Sequence, residues 1–325
     1  MTIRKLLILL LLSISIPAYA IDDVEQALDE WRPDLALDLL DARPIEDDAN
    51  WQRLRGAALV FLGRAEEGVE HLERALDMAP DDARSHWSML PGLMAQMNDT
   101  GAFGQLRLAR QLRRTMEAAV ELDPDNPEYR YGLMQYYVGA PGVAGGSQRK
   151  AEEQRDALAN IDPLWGAAAD ALLLLDDGDN EAGLEKLLTA WDGGDGVQEV
   201  GMSIVFNAQN LERWDTARIT AEQLLARKPG HPGALYQLGR TAALSGEHVD
   251  PALAALEQYV DRPFIGSSHP SRAAAYWRKG QIHQHQGKPE DARKAWHMAL
   301  ELDPGFDDAR ESLSSLDEVD REGQS

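Results

Sequence analysis

The chain contains no cysteine and only five phenylalanines; aromatic residues make up 6% of its 325 positions. The missing cysteine excludes disulfides, thiolate metal sites and cysteine nucleophiles together. Stability must then come from packing, and a chain of this length can bury a sizeable core. Basic residues are scarce as well: 32 Lys and Arg stand against 55 Asp and Glu, a formal net charge of −23. Such a surface repels nucleic acid and anionic lipid within a Debye length of about 8 Å, so no nucleic-acid partner is expected. The acidic residues are dispersed rather than gathered in a tail, the pattern of a solubility device. After residue 20, no apolar run reaches the ~20 residues of a spanning helix. Motifs with catalytic mechanics are also missing. None of the eight histidines falls in H-E-x-x-H or a visible serine-triad arrangement. His283, His285 and His297 form the one histidine cluster, but His283 and His285 are two apart in a helix and cannot share a face, and no carboxylate completes a site, so neither a metal nor a cofactor is expected.

What is present begins with the leader. Arg4 and Lys5 precede the apolar run Leu6 to Ile16, and Ala18-Tyr19-Ala20 offers a small-x-small cleavage site. Residues 1–20 therefore read as a secretory signal peptide cleaved after Ala20, and the mature chain is expected outside the cytoplasm with no membrane insertion.

Four segments end alike: ALDMAP at Pro80, AVELDP at Pro124, ALANIDP at Pro163 and ALELDP at Pro304. Gly56, Gly63, Ala75 and Pro80 are spaced like Gly280, Gly287, Ala299 and Pro304, and Gly239 and Gly246 repeat the first interval. Pro229 and Pro263 lie 34 residues apart. Gly56, Gly239 and Gly280 sit mid-helix, where glycine costs ~1 kcal/mol against alanine unless another helix must come close. Gly63, Gly246 and Gly287 fall where a turn between helices wants a left-handed residue. Ala75 and Ala299 are small enough for a helix crossing, and the prolines close each second helix.

This 34-residue helix–turn–helix period is that of the tetratricopeptide repeat (TPR), and the unit from Tyr276 to Pro304 resembles its consensus nearly throughout. The resemblance implies an all-α, right-handed solenoid of about seven to eight helix pairs: 22–45, 49–80, 83–124, 126–163, 164–196, 198–229, 232–263 and 272–304. A helix from Phe306 to Val319 would cap the last pair. An N-terminal half over 21–196, a C-terminal half over 197–320 and a disordered tail over 321–325 are expected. The joint between halves is placed at Asp192 to Gly196, where glycines replace the closing proline. Proline intervals longer than the period locate insertions at 98–104, 139–146 and 264–269. Residues 83–163, with the loop APGVAGG, resemble a group of secreted bacterial TPR proteins that has no assigned reaction, which implies a periplasmic or secreted location.

The loop Gly142 to Ser147 lacks the G-x-x-x-x-G-K-[ST] of a phosphate cradle, and Ser147 reads as the N-cap of the next helix. Arg107, Arg110 and Arg114 recur on one helix face and form a candidate anion patch, with neutralisation by Glu117 and Glu121 as the simpler reading. In TPR proteins the first helix of each pair lines the concave face. Carried over by register, that face holds Tyr129, Tyr136, Tyr137, Met202, Phe206, Gln209, Asn210, Tyr236, Arg240, Trp277, Gln281, Gln284 and His285. Tyr136 and Phe206 have packing between repeats as an alternative role. The lysine and asparagine of chaperone-tail clamps would fall at Arg53 and Ala57, which argues against that adaptor class. The expectation is a non-catalytic, exported scaffold that holds a protein or peptide in its groove. The alternative is a carrier of a small molecule or lipid, its insertions closing over a cavity near Arg110 and Tyr136.

Overall fold

The computed structural model describes residues 21–42, 48–98, 100–191, 198–262 and 269–322. Eight helix pairs follow one another. They are α1 (Ile21–Asp29) with α2 (Pro33–Asp41), α3 (Ala49–Phe61) with α4 (Ala65–Met78), α5 (Ala83–Asn98) with α6 (Ala102–Leu122), and α7 (Pro127–Gly139) with α8 (Gln148–Ile161). Then come α9 (Pro163–Asp176) with α10 (Asn180–Ala190), α11 (Gln198–Asn210) with α12 (Trp214–Arg227), α13 (Pro232–Ser245) with α14 (Val249–Val260), and α15 (Arg272–His285) with α16 (Pro289–Leu302). A last helix, α17 (Asp307–Glu322), packs on α16. No strand occurs among the described residues.

Side-chain caps start many of the first helices. Asp48 accepts from Trp51 N (2.7 Å), Asp162 from Leu164 N (2.8 Å), and Ser271 from Ala274 N (3.2 Å). Each satisfies an amide that the helix leaves orphaned. Within a pair, the mid-helix glycine does what its spacing implies. A Cβ on Gly280 would overlap the indole of Trp296, which is fully buried on the facing helix. Gly63, Gly246 and Gly287 take φ of 77°, 75° and 68° at the turns between helices. Ala75 and Ala299 have no exposed surface. First helices also touch the first helices of adjoining pairs (α1–α3, α3–α5, α7–α9, α11–α13 and α13–α15), forming an inner layer. The largest core runs unbroken from Ala119 to Ile282, on both sides of the expected joint. Asp192 to Gly196 themselves lie outside the described residues. So do the leader 1–20, the insertion residues Asp99 and 264–268, and the tail residues 323–325.

Several expectations are corrected. The added residues near 98–104 lengthen the helices rather than the turn: Phe103 and Gly104 open α6, which has 21 residues where α4 has 14. Leu, Arg, Gln and Ala dominate that stretch and favour helix. Pro163 opens α9 instead of merely closing α8, because Asp162 caps α9 directly. Residues 321 and 322 belong to α17 and not to a tail.

The chain also closes on itself. Trp31, in the α1–α2 turn, takes φ 56°, a left-handed conformation rare for a bulky side chain. Its ring packs on Phe61 (5.6 Å between centroids) and lies edge-on to His231 (5.9 Å) and His269 (5.0 Å). Arg262, just after α14, donates from Nη2 to Trp31 O (3.1 Å) and from Nη1 to Gly230 O (2.5 Å). The first pair is thereby tied to the turns on either side of the seventh pair.

Candidate functional site

The thirteen residues placed on the concave face by register do not share one environment. Tyr129, Tyr137, Gln209 and Tyr236 are buried. Tyr129 stacks on Trp87 (4.7 Å), and Tyr236 packs on Tyr259 (5.5 Å). Trp277 donates to Ser312 Oγ (3.0 Å) and meets Phe306 at the capping helix. These are joints between helices and offer a ligand little surface. Phe206 is 43% exposed, so its packing alternative does not hold. Asn210, Gln284 and His285 are exposed, and Met202, Arg240 and Gln281 are half-buried. His285 Nε2 lies 3.0 Å from Ala243 O.

At the centre of this accessible subset is a pair of arginines, one of which the register did not single out. Gln209 spans α11 and α13, donating to Thr241 Oγ1 (2.9 Å) and Gln237 O (3.2 Å), while its Oε1 accepts from Arg240 Nη1 (2.5 Å). On the next first helix, Arg278 lies over the Trp277 ring (4.1 Å) and donates from Nη1 to Gln281 Oε1 (2.9 Å). Burial and then the neighbouring Arg278 charge lower the Arg240 pKa. Neither guanidinium has a carboxylate partner among the described residues, and Arg278 Nε is buried with no partner. Two close, fixed cations held by amides suit an incoming carboxylate or phosphate.

A second cluster, of acidic side chains, gathers at Glu128. Burial raises the Glu128 pKa, with Glu199 and Asp29 adding to the effect. These three carboxylates come together from α7, α11 and α1, and Trp87 Nε1 donates to Glu128 (3.3 Å).

The APGVAGG insertion is occupied with itself. Pro141 leads into one turn of 3-10 helix over Gly142–Ala144, and Gly145 takes φ 104°. Its amides are spent internally: Gly145 N donates to Gly142 O, Gly146 N to Pro141 O, and Ser147 N to Tyr137 O. These amides are not available to cradle a phosphate. Ser147 caps α8 through Lys150 N (3.4 Å). Tyr136 Oη donates to Ala109 O (2.7 Å), and Arg110 donates from Nη2 to Val143 O (3.0 Å). Glu117 accepts from Tyr137 Oη (2.7 Å), Arg113 Nη1 (2.8 Å) and Lys150 Nζ (3.0 Å). Burial pushes the Glu117 pKa up, but these bonds outweigh it and hold it below the ordinary value. Burial and the Glu117 bond together raise Tyr137. Of the anion patch, Arg110 and its neighbour Arg113 thus serve the loop, while Arg107 and Arg114 are exposed. No group of three metal-ligating side chains forms among the described residues, and no described helix is long and apolar enough to cross a membrane. Arg53, at a chaperone-clamp position, bonds Glu25 and Asn50.

Comparison with known proteins finds the repeat in two places. Tetratricopeptide-repeat models match residues 54–82 and 273–306. The chain carries tetratricopeptide repeats. Both matched segments are helix pairs in the register read from the glycines. Among solved structures, the human IFIT1 dimer with PPP-AAAA aligns over 92% of this TPR chain and 72% of that one, at 16% identity and a TM-score of 0.55. The APC/C hetero-tetramer Cut9–Hcn1 aligns over 90% of this chain at 15% identity and a TM-score of 0.51. There the chain spans about half, 54%, of its relative's length. At these identities the likeness is one of fold. No curated protein matches the chain.

Proposed function

We propose that this TPR protein is a non-catalytic scaffold, exported from a bacterial cytoplasm, that holds a protein segment against the inner layer formed by α11, α13 and α15. The observation that carries the reading is the Arg240–Arg278 pair, left without a carboxylate in a chain of net charge −23. An acidic side chain of the partner pairs with these arginines, and its apolar residues lie on Met202 and Phe206. The carboxylates at Asp29, Glu128 and Glu199 favour a segment whose other end is basic and disfavour an oligonucleotide such as the one in the IFIT1 structure. Photo-crosslinking in cells from a reactive residue at Phe206 tests this. The expected product is one discrete partner adduct, lost in Arg240→Glu and kept in Arg107→Glu. No adduct, or one indifferent to Arg240→Glu, contradicts the reading. The carrier alternative loses ground because Arg110 and Tyr136 spend their polar groups on loop carbonyls.

A further inference from the structure

The inner layer leaves one surface of the molecule unexplained. On α6, the second helix of its pair, Phe103, Arg107, Arg110 and Arg114 recur at spacings of four, three and four, so they share one face. Phe103 is 93% exposed. Val143, 69% exposed, sits beside this face because Arg110 donates to its carbonyl from Nε (3.2 Å) and Nη2 (3.0 Å). Arg107 and Arg114 are exposed and make no ion pair among the described residues, although acidic residues outnumber basic ones 55 to 32. The nearest carboxylate on the helix, Glu117, is taken by Arg113, Lys150 and Tyr137. The result is a basic stripe roughly 16 Å long by helix rise, with apolar side chains at its start and middle.

We propose that this stripe is a second docking surface, which takes an acidic amphipathic helix of a protein partner. Charge complementarity selects the occupant. A helix with carboxylates three and four residues apart matches the arginine spacing; Arg107 and Arg114 each offer a carboxylate a two-pronged fork, and Arg110, its Nε and Nη2 bonded to Val143 O, adds its charge between them. Phe103 and Val143 receive the apolar flank of that helix, and aromatic residues with arginine are what interfaces enrich. An anionic bilayer fits less well. Glu121 lies on the same face two turns beyond Arg114 and is exposed, so a plane meets carboxylates where a three-turn helix does not. The surface lies on a second helix, apart from Arg240, and stands whether or not the inner layer binds a segment.

The test uses a fluorescein-labelled, alanine-based helix carrying glutamates three and four residues apart, with leucines beside them, titrated with the full chain. Saturable binding that weakens with salt is expected. It falls about tenfold or more in Arg107→Glu/Arg114→Glu, since two attractive pairs become repulsive. It falls severalfold in Phe103→Ser and is unchanged in Arg240→Ala. An unchanged thermal midpoint checks that the exposed variants fold. Absence of saturable binding, or binding indifferent to the double reversal, overturns the proposal. So does loss of phosphatidylglycerol-vesicle binding in the double variant when the peptide never binds.

Discussion

Two places in this molecule tie an irregular segment back onto the helical stack, and they do it with different chemistry. At one, the α1–α2 turn is clasped to the seventh pair by Arg262 and by the rings of Trp31, His231 and His269. At the other, the APGVAGG loop is held on α6 and α7 by Arg110, Tyr136 and the Glu117 cluster. Both use arginine forks on main-chain carbonyls. At the clasp, however, positive charge gathers: His269, Lys228 and Arg262 bear on His231, and Arg262 bears on His269. Burial, with that positive charge added, pushes both imidazoles down to about 4, so they are neutral where the loop's Glu117 is ionised. The difference teaches that a clasp between distant repeats rests on desolvated neutral groups, while an insertion within one repeat rests on a satisfied ion cluster.

The strongest way to break the comparison is Trp31→Ala. Loss of the indole is expected to cost about 3–5 kcal/mol, confined to the clasp. Limited proteolysis should then open the α1–α2 turn while the loop at Gly142 stays protected. Trp31→Gly should be milder by about 1 kcal/mol, because glycine accepts the left-handed φ.

Acid separates the two regions next. His231 and His269 have native pKa values near 4, below the ordinary 6.5. The opened clasp therefore takes up protons as pH falls below 6.5, and the closed one does so only near 4. Clasp stability falls across that window and levels off below it; for His231 the limit is roughly 3 kcal/mol. The loop keeps its full stability down to the ordinary glutamate range and loses it as pH falls through the lowered Glu117 pKa. Hydrogen exchange at the two segments, followed from pH 7 to 3, reads both windows. His231→Asn retains an acceptor for Ala234 N and should shrink the first window, leaving the His269 part of it, without touching the second.

Within the loop, Glu117→Gln should cost about 1–3 kcal/mol, because Lys150 and Arg113 lose their counter-charge, and the thermal midpoint should drop with the clasp intact. Arg262→Lys removes one of two carbonyl contacts and should cost about 1 kcal/mol, measured as faster exchange at the α1–α2 turn.

These contrasts also mark what could be read in the residues alone. The helix pairs followed from Gly56, Gly239 and Gly280, because close helix approach imposes a spacing that sequence displays. The exposure of the first-helix residues was half legible. Register assigns a residue to a first helix, but whether it points outward or into the next pair depends on neighbours, so Tyr129, Gln209 and Tyr236 proved to be joints. Arg278 carries no signal of its own in the sequence: it sits beside a consensus tryptophan, and the contact of the two side chains appears only in the fold. The clasp left no periodic trace. Trp31 and Arg262 are 231 residues apart, and only a left-handed tryptophan, invisible in sequence, marks the contact.

The central claim is that closure, and the absence of native cysteine makes it directly measurable. Spin labels at Arg32→Cys and Asp261→Cys, both exposed positions, report the span between the first pair and the end of α14. The account predicts a single short distance at pH 7 that broadens and lengthens as the pH falls from 6.5 toward 4 and in Trp31→Ala. A long, broad distribution at pH 7, the same with or without Trp31, would contradict it.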